Sequence, residues 1–185
     1  MKELITISMK TGGQWLVTPI SSANIFCRES FTSEHKDIET MINDFAKNRL
    51  YPNIEAIDKL DKDLSLSIMK EMGALGLIGI DTPEEFGGTE LDKIASCIVT
   101  EGVSRGGSAS FSTTFGVQTG IGSMGIVFFG TPEQKKKYLP KMMTGESISA
   151  YGLTEPSSGS DALSAKTTAT LSEDGNYYLL NGEKQ

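Results

Sequence analysis

The spacing of apolar residues in the first part of the chain predicts three amphipathic helices. The first begins after Phe31-Thr32-Ser33, and its apolar positions recur every three or four residues, as on one helix face: Ile38, Met41, Ile42, Phe45, Ala46 and Leu50. Pro52 is expected to end this helix, because proline lacks a backbone N–H and clashes with the preceding turn. Similar spacing predicts a second helix from about Asp61 to Leu75 and a third from about Leu91 to Val103.

Further helical structure is predicted in and after a glycine-rich stretch. From Ser108 to Phe129 glycines are mixed with apolar residues, which fit one helix face better than the two-residue repeat of a strand. Thr131, followed by Pro132 and then Gln134, has the pattern of a capping box with proline at the first helical position. The next helix is therefore expected from Pro132 to about Met143.

After Glu146 the pattern becomes typical of β structure. Three strands are predicted, at Ser147–Tyr151, at about Ala165–Leu171 and at about Tyr177–Leu180. The last two are joined by a turn at Glu173–Asn176. Asn181-Gly182 is a strong hairpin signal, yet the sequence ends at Gln185, before a return strand. Since folded domains avoid unpaired strand edges, we expect the chain to be cut inside a domain.

Composition and charge narrow the class of protein. The 185 residues include 24 acidic and 17 basic side chains, and the net charge of −7 disfavours nucleic acid and anionic membranes as partners. Cys27 and Cys97 form no Cys-x-x-Cys pair and His35 is the single histidine, which disfavours zinc and haem sites and favours a reducing compartment. The sequence lacks both an apolar run of about 18 residues and a signal-peptide pattern. We therefore predict a soluble, cytoplasmic protein.

Two motifs have a structural explanation that we favour over a functional one. Residues 120–125 match the dinucleotide fingerprint G-x-G-x-x-G, but the fingerprint must join a strand to a helix, and here another break follows within a few residues. The lysines at 135–137 and Lys141 could attract a phosphate group. The solvated face of an amphipathic helix explains them better.

For three titratable side chains, too, we weigh a structural role against a functional one. Glu155 and Asp161 could form an acid–base pair, but loop stabilisation is the better explanation because no histidine or third group lies nearby in sequence. His35, near a helix start, is predicted to lie at the surface or in the capping region.

The loop from Tyr151 to Asp161 is the most informative stretch. Gly159 permits close backbone approach and Pro156 favours a turn. Four side chains add hydroxyl donors: Thr154, Ser157, Ser158 and Ser160. Such a loop can bind a phosphate group or the polar edge of a planar ring. From the residues alone, a plain serine-rich surface loop explains the composition equally well.

Within this loop, the run GLTEPSSGSDALS resembles the signature of the acyl-CoA dehydrogenase flavoproteins, with the T-E-P and G-S-D elements at the spacing of that family. Three further segments agree in order: GALGLIGIDTPEEFGG at 73–88, FGTPEQKKKYLPKMMTGE at 129–146 and YYLLNGEK at 177–184. The resemblance covers about Phe31 to Gln185. Residues 1–30 are similar to the arm before the first helix in the very-long-chain type of the family.

The resemblance implies a mainly α fold, in which an N-terminal helical bundle precedes a middle β-barrel-like domain. The expected divisions are an extended N-terminal arm at 1–31, a helical domain at 32–145 and the truncated start of the β domain at 146–185. The segment 1–31 shows no sustained apolar period of its own, which agrees with an arm.

The resemblance also implies a bound FAD. Its expected contacts are Tyr151, Gly152, Leu153, Thr154, Glu155, Pro156, Ser157, Ser158, Gly159 and Ser160. Within this run, the Leu153 backbone and the Thr154 amide and hydroxyl would meet the pyrimidine edge and N5 region of the flavin, and Ser160 would contact an FAD phosphate or the CoA pantetheine. The chain itself is expected to retain little or no FAD, because the Trp-containing strand that follows in the family would begin after Gln185.

The activity implied by the resemblance is oxidation of acyl-CoA to 2-enoyl-CoA in fatty acid β-oxidation. The catalytic glutamate is expected in a C-terminal domain beyond this sequence, an electron-transferring flavoprotein as the electron acceptor, and a homo-oligomer as the intact enzyme. Gly116, Gly120 and Gly122 would open the floor of the acyl pocket and favour long acyl chains. Two alternatives remain, an acyl-CoA oxidase-like flavoenzyme and a non-catalytic helical module that binds acyl-CoA or a partner.

Overall fold

Helices make up most of the regular structure in the computed structural model, which describes residues 26–185. Seven α-helices are followed by two strands in this part of the chain: α1 Ser33–Phe45, α2 Ile54–Asp58, α3 Lys62–Ala74, α4 Lys93–Arg105, α5 Ala109–Thr119, α6 Met124–Phe129, α7 Pro132–Met143, β1 Thr168–Leu171 and β2 Tyr178–Asn181. The predicted fold class, a helical bundle followed by a small amount of β structure, is confirmed. Most of the predicted arm lies outside the described residues, whose first element is a 3-10 turn at Arg28–Ser30.

The start of α1 agrees with the prediction, whereas its end does not. Thr32 caps the helix, and its hydroxyl accepts the His35 N–H while His35 Nδ1 accepts the Thr32 N–H. Regular α-helix ends at Phe45, and a wider π-helical turn continues through Leu50. Pro52 then lies in a 3-10 turn from which α2 follows directly. A proline near the start of a helical turn needs no N–H, so it does not stop the chain from continuing as a helix.

The predicted second, third and last helices are confirmed as α3, α4 and α7. Asp61 and Asp92 cap α3 and α4 by accepting backbone N–H groups. Thr131 and Gln134 form the predicted capping box at the start of α7, with Pro132 in the first turn. Each cap satisfies N–H groups that have no partner within the helix, and this explains why these starts could be predicted.

One hydrophobic core joins these helices, and α1 and α4 pack closely within it. Gly102 of α4 faces Ile42 of α1, and a Cβ added at Gly102 would lie 2.5 Å from Ile42 Cγ1. The glycine therefore allows the two helices to approach. The core contains side chains from six helices, including Ile38, Ile42, Ile57, Ile68, Met69, Met72, Val99, Val103, Phe111, Phe115 and Leu139.

The glycine-rich stretch, for which the apolar spacing predicts a single helix face, forms two helices separated by a turn. The α5 helix ends at Thr119, where Gly120 has φ −111° and ψ −111°. The Gly122 N–H then donates to the Val117 carbonyl, and α6 begins at Met124. Gly120 leaves the α-helical region, so the apolar spacing continues across a break in the backbone.

The β structure is smaller than predicted. The strands β1 and β2 form an antiparallel hairpin in which Thr168 pairs with Asn181 and Leu171 with Tyr178. The predicted turn between them is present, with Gly175 at φ +72°. Asn181 is a paired residue of β2, and no strand follows it among the described residues. The segment at 147–151 is not a strand, because its hydrogen bonds are made to a side chain and to a helix end rather than to a neighbouring strand.

Candidate functional site

The first half of the loop at residues 151–161 presents backbone N–H groups that have no hydrogen-bond partner among the residues that the structure describes. None of the N–H groups of residues 150–154 donates a hydrogen bond to any residue in the described part of the chain. Tyr151 and Leu153 are 55% and 41% exposed although both are large and apolar. Within residues 26–185 the hydroxyls of Thr154, Ser157 and Ser160 also have no hydrogen-bond partner in the protein. The segment therefore offers amide and hydroxyl donors beside apolar surface, as binding the polar edge of a planar ring requires.

The second half of the loop is held by its own hydrogen bonds. The backbones of Glu155 and Ser158 exchange two hydrogen bonds, of 2.9 and 3.1 Å. The Ser158 hydroxyl donates to the Asp161 carbonyl at 2.7 Å, and both Glu155 and Ser158 are buried. Pro156 and Ser157 form the exposed tip of this turn, and Gly159 borders open space.

Glu155 is the anchor of the loop. Its carboxylate accepts the N–H groups of Lys166 at 2.6 Å and Thr167 at 3.1 Å, and the Lys184 ammonium at 2.8 Å. The Lys184 ammonium, together with the Lys166 N–H, lowers the pKa of Glu155 from 4.5 to about 2. Asp161 is exposed and accepts instead from the Ser164 hydroxyl. These partners support the predicted loop-stabilising role of Glu155 over an acid–base pair.

The last residues of the chain hold two carbonyls of the same loop. Lys184 Nζ donates to the Leu153 carbonyl at 3.1 Å, and the Gln185 N–H donates to the Thr154 carbonyl at 2.9 Å. Because the carbonyls are bonded to the protein while the N–H groups are not, the loop is fixed in position and its donors stay available. No local sequence pattern indicates this role of Lys184, which is 29 positions from Glu155 along the chain.

Gln118 is a second residue that sequence analysis missed. Its side chain is fully buried at the end of α5, and its amide nitrogen donates to the Met142 carbonyl at 2.8 Å and the Ser147 carbonyl at 3.0 Å. Its amide oxygen accepts the Ser149 N–H at 2.7 Å and the Ser149 hydroxyl at 2.9 Å. The available signal was its position on the helix face that carries Phe111 and Phe115, where a polar side chain must find partners.

The three glycines predicted to open an acyl pocket have different surroundings. A Cβ added at Gly116 meets no atom within 4 Å, so this face of α5 is open. A Cβ at Gly120 would lie 2.7 Å from the Gly116 carbonyl oxygen, and one at Gly122 would lie 2.2 Å from Ser149 Oγ. Gly116 alone of the three borders free space, while Gly120 and Gly122 allow close packing.

The remaining candidates have structural partners. His35 is buried rather than at the surface, because its Nε2 faces the Asp92 carboxylate at 3.0 Å, although its predicted place in a cap is confirmed. Lys141 pairs with Glu146 at 3.4 Å, and Lys136 and Lys137 are solvated as predicted. The G-x-G-x-x-G match follows a helix instead of a strand, which supports its rejection as a dinucleotide fingerprint.

Neither a metal centre nor a membrane-spanning helix is found in the part of the chain that the structure describes. Residues 26–185 contain no group of three or more His, Cys, Asp or Glu side chains arranged to hold a metal ion. Over the same residues, every helix is too short or too polar to cross a membrane.

Comparison with known proteins gives one consistent result. The family model described as "Acyl-CoA dehydrogenase, N-terminal domain" matches residues 32–146. The chain is 49% identical over 177 residues to a "Probable acyl-CoA dehydrogenase" of Bacillus subtilis (strain 168), an alignment that covers 96% of this chain and 30% of that protein. It is 43% identical over 143 residues to the "Very long-chain specific acyl-CoA dehydrogenase, mitochondrial" of Macaca fascicularis, covering 77% of this chain and 20% of that protein.

A solved structure of an acyl-CoA dehydrogenase also has a similar fold. The crystal structure of an acyl-CoA dehydrogenase complexed with FAD from Bacillus anthracis superimposes with a TM-score of 0.88 at 51% identity. The match covers 94% of this chain and 30% of that one. The chain therefore spans less than a third of the length of the relatives named here.

Proposed function

The chain belongs to the acyl-CoA dehydrogenase family, and on this premise we propose that it forms part of an FAD-dependent oxidoreductase that converts acyl-CoA to 2-enoyl-CoA in fatty acid β-oxidation. The family inferred from the sequence motifs is thereby confirmed. The observation that carries the proposal for this chain is the row of free N–H groups at residues 150–154. These donors lead into the T-E-P and G-S-D elements, and Thr154 is the first residue of T-E-P.

The donor set of the loop fits a flavin. In this proposal Tyr151 to Ser160 line the FAD, with the Leu153 backbone and the Thr154 amide and hydroxyl at the pyrimidine edge and N5 region, and Ser160 at a phosphate or at the CoA pantetheine. Support comes from the N–H groups of Leu153 and Thr154 and the hydroxyls of Thr154 and Ser160, which have no partner among the described residues. Glu155 and Ser158 bond within the loop and support its shape.

The protein and the cofactor have separate tasks in this proposal. A bound flavin would supply the acceptor for the hydride that leaves the β-carbon of the acyl group. The residues of this chain bind and orient the ring, and the exposed Tyr151 and Leu153 side chains exclude water from its face.

We extend the proposal to the rest of the enzyme. Residues 32–145 form the helical domain and residues 146–185 begin the β domain, which agrees with the family match at 32–146. We predict a long-chain substrate, supported by the open space at Gly116 and the 43% identity to a very-long-chain relative. A cytoplasmic homo-oligomer that passes electrons to an electron-transferring flavoprotein completes the proposal.

The test is titration of FAD against the full-length protein that carries this chain, followed by flavin absorbance and fluorescence. Thr154→Val removes one free donor and is expected to weaken FAD binding about fivefold. Thr40→Val removes an exposed hydroxyl on α1 and should leave binding unchanged. Absence of FAD binding by the wild-type protein would overturn the proposal and favour the non-catalytic module.

The reoxidation of the flavin, after its reduction by acyl-CoA, distinguishes a dehydrogenase from an oxidase. Without oxygen, an acyl-CoA thioester should bleach the bound flavin in either enzyme. Slow recovery of colour in air and fast recovery with electron-transferring flavoprotein support a dehydrogenase. Fast recovery in air alone would instead support an acyl-CoA oxidase.

A further inference from the structure

The buried amide of Gln118 joins α5 to the segment that leads into the candidate flavin loop. Both hydrogens of its nitrogen donate to carbonyls, at Met142 and Ser147, and its oxygen accepts two hydrogen bonds from Ser149. The side chain is 0% exposed, and its partners lie 24 to 31 positions away. All four bonding positions of the amide are therefore used between elements that are distant in sequence.

Gly122 completes a seat for Ser149. It lies four residues after Gln118, just beyond the end of α5, and a Cβ there would be 2.2 Å from Ser149 Oγ and 2.8 Å from Ser149 Cβ. Any larger residue at Gly122 would push Ser149 away from the Gln118 amide. We call Gln118, Gly122 and the bound Ser149 the Ser149 seat.

The Ser149 seat is the last fixed point before the free donors. After Ser149, the next backbone groups bonded to described residues are the carbonyls of Leu153 and Thr154, held by Lys184 and Gln185. The free N–H groups of residues 150–154 thus lie between two anchors. A shift at either anchor moves donors that must match a planar ring to within a fraction of an ångström.

We propose that Gln118 is a positioning residue that sets the place of the flavin-binding donors through Ser149. The proposal rests on the proposed function, since it concerns how the same loop meets FAD. Gln118 touches no cofactor in this account and acts by fixing Ser149. The α5 helix also carries Gly116, whose open face we assign to the acyl pocket. The Ser149 seat therefore links α5 to the candidate flavin loop.

The experiment compares three variants of the full-length protein. Gln118→Met keeps the size of the side chain but removes its bonds, so the Kd for FAD should rise about tenfold. Ile68→Val, a core substitution on α3 that removes none of the four hydrogen bonds of Gln118, serves as the control for loss of stability. Gln134→Met repeats the substitution at an exposed capping position on α7. The three readouts are the Kd for FAD, the visible circular dichroism of the bound flavin and the Tm of the protein without FAD.

A positioning role predicts separation of binding from stability. All three variants should lower Tm, but only Gln118→Met should change both the Kd and the flavin dichroism. Equal changes of Kd in Gln118→Met and Ile68→Val, or wild-type binding by Gln118→Met, would overturn the proposal. If the wild-type protein binds no FAD, the proposed function has failed, and that outcome is distinct from failure of the seat alone.

A gentler variant covers the case in which Gln118→Met does not fold. Ser149→Ala removes the hydroxyl bond to Gln118 and keeps the N–H bond. It should raise the Kd for FAD about threefold with little change in Tm. An unchanged Kd in a folded Ser149→Ala protein would count against the seat.

Discussion

Lys184 Nζ lies 2.8 Å from the Glu155 carboxylate, and this ion pair holds the candidate flavin loop, residues 151–161, against the segment that follows β2. The same ammonium holds the Leu153 carbonyl at 3.1 Å. One lysine therefore anchors the loop through both a side chain and the backbone. The Glu155 side chain is 4% exposed, so solvent cannot easily replace these contacts.

The pair predicts a specific loss of stability in acid. Because the folded state lowers the pKa of Glu155 from 4.5 to about 2, the ionised carboxylate stabilises the fold above pH 4.5, and this contribution is lost as the pH falls toward 2. The Tm of the wild-type chain should fall across that range more steeply than the Tm of Glu155→Gln. Thermal unfolding followed by circular dichroism at a series of pH values measures this difference.

Two further variants complete the acid experiment. Lys184→Met removes the largest cause of the lowered pKa, so this protein should be less stable at neutral pH and its Tm should depend less on acid. Glu173→Gln, in the exposed hairpin turn, should keep the wild-type profile. Identical acid profiles for the wild type and Glu155→Gln would contradict the proposed anchor.

The close packing of α1 on α4 makes a second prediction. Gly102→Ala places a Cβ about 2.5 Å from Ile42 Cγ1, so the helices must separate, and the free energy of unfolding should fall by about 1–3 kcal/mol. Gly125→Ala is the matched control, since a Cβ at this position in α6 meets nothing within 4 Å and alanine favours helix by up to about 1 kcal/mol. Urea denaturation compares the two. Equal stability of both variants would show that α1 and α4 adjust without cost.

The open face at Gly116 predicts the effect of side-chain bulk on substrate choice. A Cβ at Gly116 meets no atom within 4 Å, so Gly116→Leu should not destabilise α5, yet its side chain would fill part of the proposed acyl pocket. In the full-length enzyme, kcat/KM for hexadecanoyl-CoA should fall relative to butanoyl-CoA, whereas Gly125→Leu should leave this ratio unchanged. A wild-type optimum on butanoyl-CoA would contradict the predicted long-chain preference.

The elements predicted well are those specified by residues close together in sequence. Thr131 and Gln134 are three positions apart and define the start of α7 by themselves. The hairpin likewise needs only two short strands and the turn at Glu173–Asn176. The segment at 147–151 was wrongly predicted as a strand because its alternation is local, whereas its partner is the distant side chain of Gln118.

Only part of the candidate site could likewise be predicted from residues close together in sequence. Sequence motifs located the loop at 151–160 and its family, but they could not distinguish donors that are free from donors that are used. Glu155 and Ser158 belong to the same motif as Thr154 and Ser160, yet the first two bond within the protein and the last two do not. Gln118 and Lys184 had no local signal strong enough to indicate a role in the loop.

The sequence by itself determined the capped starts of α1, α3, α4 and α7, the hairpin and the family, because caps, turns and motifs depend on neighbouring residues. Tertiary structure alone decided how the loop is held. Its two anchors join residues 31 and 29 positions apart, Gln118 with Ser149 and Glu155 with Lys184. Such contacts form only when packing of the helices brings these side chains together, and a buried polar group then takes whichever partners lie within hydrogen-bonding distance.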